Sequence, residues 1–122
     1  MTIVLYGIPA EIAGRIAERY ALKSIYSLEE IGSAGSLLLV PPMASPRRLL
    51  EFYNAMMAHE DDIDAVIVCG LEACDAASTV QYCSPQGKFF SISGDAGEEE
   101  MEYELTRIIE THLGLICAHE GI

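Results

Sequence analysis

Positive charge is what this chain has least of. Seven lysines and arginines stand against 19 aspartates and glutamates, for a formal charge of −12. The only lysines are Lys23 and Lys88. Nucleic-acid binding needs clustered Lys and Arg to displace counterions from phosphate, so no nucleic-acid partner is expected. Anionic membranes are disfavoured for the same reason. No apolar run approaches the roughly 18 residues that would span a bilayer. Nor does the chain open on a basic segment with a cleavage site, so a cytoplasmic location is expected. There is no CxxC pair among the four cysteines. Cys74 and Cys83 are nine residues apart in a helix-like segment, about 13.5 Å along its axis, too far to share one tetrahedral zinc. A disulfide framework does not suit an α/β chain with its own core. All four, including Cys117 beside His112 and His119, are expected to be reduced, with no metal bound. Cys69, at the end of a strand, is the one placed for another role.

Five short apolar runs dominate what is present: Thr2–Gly7, Lys23–Ser27, Ser36–Pro41, Asp64–Gly70 and Lys88–Ser93. Three are nearly continuous in aliphatic residues rather than alternating. A strand apolar on both faces is covered on both faces, which predicts a mostly parallel five-stranded sheet between two helical layers. The 122 residues make one domain, spanning residues 1–122, and no composition shift marks a second.

Helical stretches fill most of the gaps. Over 9–21, Ile8, Ile12, Ile16 and Tyr20 recur four apart with Ala13 and Ala17 beside them, while Glu11, Arg15, Glu18 and Arg19 face water. Pro9 suits a first helical position. Over 46–58, Ser45 is the expected N-cap, Pro46 takes the first position, and Leu49, Phe52, Tyr53, Met56 and Met57 point inward. An Ala-rich helix is expected over 71–83, ended by Pro85 and Gly87. The last helix, about 98–113, carries Met101, Leu105, Ile108, Ile109 and His112 on one stripe, with Gly114 as C-cap. Only Ser27–Gly35 separates the second and third strands, short for a crossover helix. Either a single turn at Leu28–Ile31 bridges two short strands or the second strand is absent.

Crossover rules leave two strand orders, a flavodoxin-like 2-1-3-4-5, favoured by the strand count, or the Rossmann-like 3-2-1-4-5. In either, ligands gather beyond the carboxyl ends of the strands, where the order reverses. That rim comprises Tyr6–Glu11, Pro41–Arg48, Cys69–Asp75 and Ser93–Glu98. The acidic run His59–Asp64 precedes a strand and belongs to the opposite edge as a solvated loop.

The rim can be held against known chemistries. Residues 7–20, GIPAEIAGRIAERY, look like the opening of small nucleotide kinases. A phosphate-binding P-loop needs G-x-x-x-x-G-K-[ST]; here the next glycine is seven residues on, no GK[ST] follows, and Glu11 brings negative charge. The dinucleotide fingerprint fails where Pro9 and Ile12 occupy glycine positions. The architecture resembles a phospho-accepting receiver domain, but its acidic pair, aspartate, hydroxyl and lysine are missing from the strand ends. At Cys69 a nucleophilic thiol would need an anion-cradling loop; Cys69–Asp75 offers Glu72 and Asp75, which raise a thiol pKa. Ser, His and acid cannot be assembled into a triad, because His59 lies on the wrong edge and His112 on a core stripe.

A capped strand-to-helix loop survives this elimination. Pro41–Leu49 leaves a buried strand, turns on two prolines and opens a helix whose free N–H groups favour an anion. Arg47 and Arg48 are the only adjacent basic pair. The loop looks like the one by which some small flavoproteins hold flavin phosphate, although Ser45 as a plain cap and the arginines bridging Glu51 would account for the same residues. The expected role is therefore a binding or regulatory module without catalysis or resident cofactor. Its anionic small-ligand site would draw on Gly7, Ile8, Pro9, Ala10, Pro42, Ser45, Arg47, Arg48, Cys69 and Gly70. The alternative is a small enzyme using that rim on a phosphorylated, flavin or nucleotide-like ligand. Edge strands and the apolar tail Leu115–Ile122 predict a homodimer or a place in a larger protein complex.

Overall fold

The computed structural model describes residues 1–31, 35–40, 46–69 and 88–115. Five parallel strands form one sheet: β1 (Thr2–Tyr6), β2 (Lys23–Ile25), β3 (Ser36–Val40), β4 (Ile63–Cys69) and β5 (Phe89–Ile92). Among the described residues three helices accompany them: α1 (Ala10–Arg19), α2 (Pro46–Met57) and α3 (Glu98–His112). The helix expected over 71–83 lies outside the described residues.

Alternation along the strands builds two cores. Ile3, Leu5, Leu37, Ala65 and Ile67 face one way and meet Ile12 and Ile16 of α1 and Leu105 and Ile109 of α3. Val4, Leu38, Val66 and Val68 face the other way and meet Met56 of α2, with Phe52 alongside. The fold is thus a three-layer α/β/α sandwich. β1 is central, between β3 and β4, and is buried at every residue, which explains its unbroken aliphatic run.

The sheet runs β2-β3-β1-β4-β5, neither of the two orders expected. Burial explains the difference. β2 has three residues, with Lys23 and Ser24 exposed and only Ile25 buried, so it belongs at an edge. β3 is apolar on both faces and needs a neighbour on each side; it takes β2 and β1. Ser27–Gly35 is a trimmed crossover after all, with one 3-10 turn at Leu28–Glu30 whose N-cap Ser27 accepts from the Glu29 amide at 3.2 Å. Adjacent strands need no longer span. The connection β1–α1–β2 passes β3, and β3–α2–β4 passes β1 in the opposite direction. Right-handed crossovers then place α1 and α2 on opposite faces, as observed.

Details of the helices depart from expectation in four places. Pro9 is the N-cap (φ −58°, ψ 140°) and α1 begins at Ala10. Met57 is 36% exposed, on the solvent side of α2, while Met56 is fully buried. His112 is exposed at the rim of the core, with its ring 4.8 Å from that of Phe90. Arg15 and Arg19 do not simply face water: they reach across to α3. The side chains of Leu49 and Tyr53 and the cap Ser45 lie outside the described residues. Gly114, with φ +69°, follows the C-cap Leu113 and turns the chain so that the Leu115 amide returns to the Ile109 carbonyl at 3.4 Å.

Candidate functional site

Gly7 ties three strand ends together. It follows β1 with φ +74°, a left-handed conformation that side chains resist. Its amide donates to the Val40 carbonyl at the end of β3, 3.3 Å away. A Cβ there would stand 2.8 Å from the Cys69 carbonyl oxygen at the end of β4. Only glycine lets β1 turn out between its two neighbours. Ile8, buried, pins the loop to the α1 side of the core, which leaves Pro9 and Ala10 exposed at the rim.

The chain leaving β1 enters α1 on one face, and the chain leaving β3 enters α2 on the other. Two adjacent parallel strands whose connections part to opposite faces leave a crevice between their carboxyl ends, the usual ligand position in open α/β sheets. One wall is the start of α1. Its N-cap Pro9 makes no side-chain cap hydrogen bond, and the first intrahelical bond runs from Ala13 N–H to the Pro9 carbonyl at 3.0 Å. The amides of the first turn, Ala10 to Ile12, therefore carry no side-chain cap and sit at the positive end of the helix dipole. Glu11, also in that turn and exposed, occupies part of the same field.

Of the remaining expected site residues, Arg47, Arg48 and Cys69 are described. Arg47 and Arg48 lie in the first turn of α2, both exposed. Arg47 stands 3.3 Å from Glu51 one turn on, the surface pairing anticipated for it. Cys69 is half-buried, and its thiol donates to the Ser93 carbonyl at 3.7 Å; that contact links the ends of β4 and β5. Ser93 Oγ in turn accepts from the Asp95 amide at 3.2 Å, holding the turn that leads to α3. Pro42, Ser45 and Gly70 lie outside the described residues, as do Cys74, Cys83 and Cys117. Cys69 is a free cysteine.

The opposite edge is organised differently. A bulge between Thr2 and Ile3 sets Asp64 between paired positions, and its carboxylate accepts from the Thr2 amide at 3.0 Å. His59 and Asp62 approach within 4.0 Å. Among the described residues no three His, Cys, Asp or Glu converge to hold a metal ion. No described helix is long and apolar enough to cross a membrane.

Comparison with protein-family models, curated proteins and solved structures finds no match to this chain. The site must therefore be read from its own geometry.

Two concavities were not foreseen in the sequence. One, of about 470 Å³, lies on the outer seam of α1 and α3. There Glu102 accepts from Arg15 at 2.7 Å and from Arg19 at 3.1 Å, while Arg19 also donates to Thr106 at 2.8 Å. Arg15 holds the Glu102 carboxyl below the ordinary carboxylate range. The four-residue spacings Arg15–Arg19 and Glu98–Glu102–Thr106 could have disclosed this seam, had the two helices been known to be neighbours. The second, about 510 Å³, lies beyond the end of β2 against α2. Its signal in the sequence was the shortness of Ser27–Gly35.

Proposed function

We propose that this protein is a non-catalytic binding or regulatory module that takes an anionic small ligand in the crevice between the carboxyl ends of β1 and β3. One observation carries the reading: β1 and β3 are neighbours whose following helices, α1 and α2, pack on opposite faces, which makes the space between their carboxyl ends the topological switch point of the sheet. The uncapped first turn of α1 supports an anion there, through amide donors and the helix dipole. Arg47 and Arg48 supply positive charge from the α2 side. Their surface setting suits a ligand that binds and leaves rather than a cofactor held permanently.

The absence of catalysis rests on sequence. The loop after β1 reads GIPAE, without the lysine and paired glycines that would activate a nucleotide phosphate. Binding without turnover is then the role this rim supports best, in a cytoplasmic setting and within a protein assembly.

Isothermal titration with inorganic phosphate and with pyrophosphate tests the reading on the full chain. Binding should weaken about tenfold in the Arg47→Ala, Arg48→Ala double variant, through loss of two charge contacts. The melting temperature should hardly change, because exposed charges contribute little to stability. Heat of binding that is identical in the variant, or missing from the parent protein for both anions, would overturn the proposal.

A further inference from the structure

The concavity beyond β2 carries a second site. β2 pairs with β3 only from Lys23 opposite Ser36 to Ile25 opposite Leu38, so no strand residue stands beside Leu39 on that side. The direction of the Leu39 main chain follows from the ladder. Lys23 N–H donates to the Gly35 carbonyl, and Gly7 N–H donates to the Val40 carbonyl. Residues 35, 37 and 39 therefore turn their peptide groups toward β2, and 36, 38 and 40 toward β1.

Packing gives the same answer independently. The Leu39 side chain packs against the core on the α1 side, whereas Val40, Leu28 and Phe52, which share the concavity with Leu39, belong to the α2 side. What Leu39 presents to the cavity is its backbone. Among the described residues, no hydrogen bond outside the regular ladders is made to its carbonyl. An outward acceptor beside the apolar side chains of Leu28, Val40 and Phe52 is a place for a backbone N–H.

The rim of the cavity sets the charge of the occupant. Glu29 lines it, and Asp62, outside the lining, stands 4.0 Å from the lining His59. Among the described residues no Lys or Arg lines it, and the whole chain carries −12. Tyr26, 72% exposed, adds an aromatic face at the mouth.

We infer that this cavity docks an extended, basic segment of a partner protein, which lengthens the sheet beside Leu39. The segment alternates apolar and basic residues. Its apolar side chains enter toward Leu28, Val40 and Phe52, its Lys or Arg side chains reach Glu29 and Asp62, and one backbone N–H donates to the Leu39 carbonyl. This is strand addition at a sheet edge, with main-chain bonds giving affinity and alternate side chains giving specificity. It is separate from the anion crevice and survives failure of that reading.

Fluorescence anisotropy on the full chain tests it, with a labelled, end-blocked peptide of alternating valine and lysine, its glutamate counterpart, and a lysine peptide N-methylated at its central residues. The lysine peptide should bind and the glutamate peptide should not. N-methylation should weaken binding about fivefold or more, through loss of a backbone hydrogen bond. Glu29→Lys should weaken it about fivefold. Ala55→Arg, at an exposed position on the cavity wall, should abolish it while leaving the melting temperature intact. Indifference to peptide charge or to N-methylation overturns the inference, as does failure of the lysine peptide to bind. Self-association that Ala55→Arg abolishes would also overturn it, by showing a second copy as the occupant.

Discussion

Gly7 shows how far one residue decides the rim. Any other residue there would hold φ +74° at a cost of about 1–2 kcal/mol and would also press a Cβ onto the Cys69 carbonyl 2.8 Å away. That neighbour is backbone and cannot swing aside. Gly7→Ala should therefore destabilise the protein by about 2–4 kcal/mol, read as a lowered urea midpoint; an unchanged midpoint would show that β1 does not turn as described. A second residue-scale test lies on the α1–α3 seam. Glu102 is held below the usual carboxylate range, chiefly by its hydrogen bond from Arg15. A depressed folded pKa gives stability that is present above the ordinary carboxylate value and lost as pH falls below it. Glu102→Gln should cost about 1 kcal/mol at neutral pH, and the difference from the parent should close in acid. Tyr20 works at the other end of the scale. Its hydroxyl donates to Glu110 at 2.5 Å, and burial, helped by that bond, pushes its pKa up to about 12. Stability from this raised value is complete below pH 10 and is lost between about 10 and 12. Denaturation against pH should show that alkaline decline in the parent protein and its absence in Tyr20→Phe.

At the scale of elements, the strands were legible because their chemistry is local. The runs at Thr2–Tyr6, Ser36–Val40 and Ile63–Cys69 are long enough in aliphatic residues to be read without knowing their neighbours. The buried stripe of α1, Ile12 to Ile16 with Ala13 and Ala17, was equally plain. Strand order was not, because no residue pattern names the neighbour across a ladder. The clue was quantitative: Ser27–Gly35 is too short to cross another strand and long enough to return beside its predecessor. That feature also left β3 uncovered at Leu39, so the same trimming that changed the order made the docking cavity. Boundary residues misled for a related reason. Met57 follows a residue that is buried, and His112 continues a stripe that is buried, yet each lies where its helix leaves the core. At the rim, Gly7 was legible as a loop residue, whereas its contact with Cys69 depends on β4 lying beside β1.

At the scale of the whole molecule, the order β2-β3-β1-β4-β5 leaves β5 as an edge of the described sheet. Phe89 and Phe90 on it are only half-buried. Edge strands of this kind are commonly covered, and the chain carries an apolar tail, Leu115–Ile122, mostly outside the described residues. Self-association through this region is expected. Sedimentation equilibrium should give a dimer or larger species that reverts toward monomer when Leu115–Ile122 is deleted. A monomer at high micromolar concentration, unaltered by the deletion, would mean that the tail serves its own core.

The central claim is that the switch point between β1 and β3 is where a ligand sits. Backbone amide NMR during titration with pyrophosphate examines it most directly. Chemical-shift changes should be largest at Gly7 and at Ala10 to Ile12, with Arg47 and Arg48 following, and should leave β2 and the His59–Asp64 edge unmoved. Changes centred on His59–Asp64, or none at the start of α1 at saturating anion, would contradict the account.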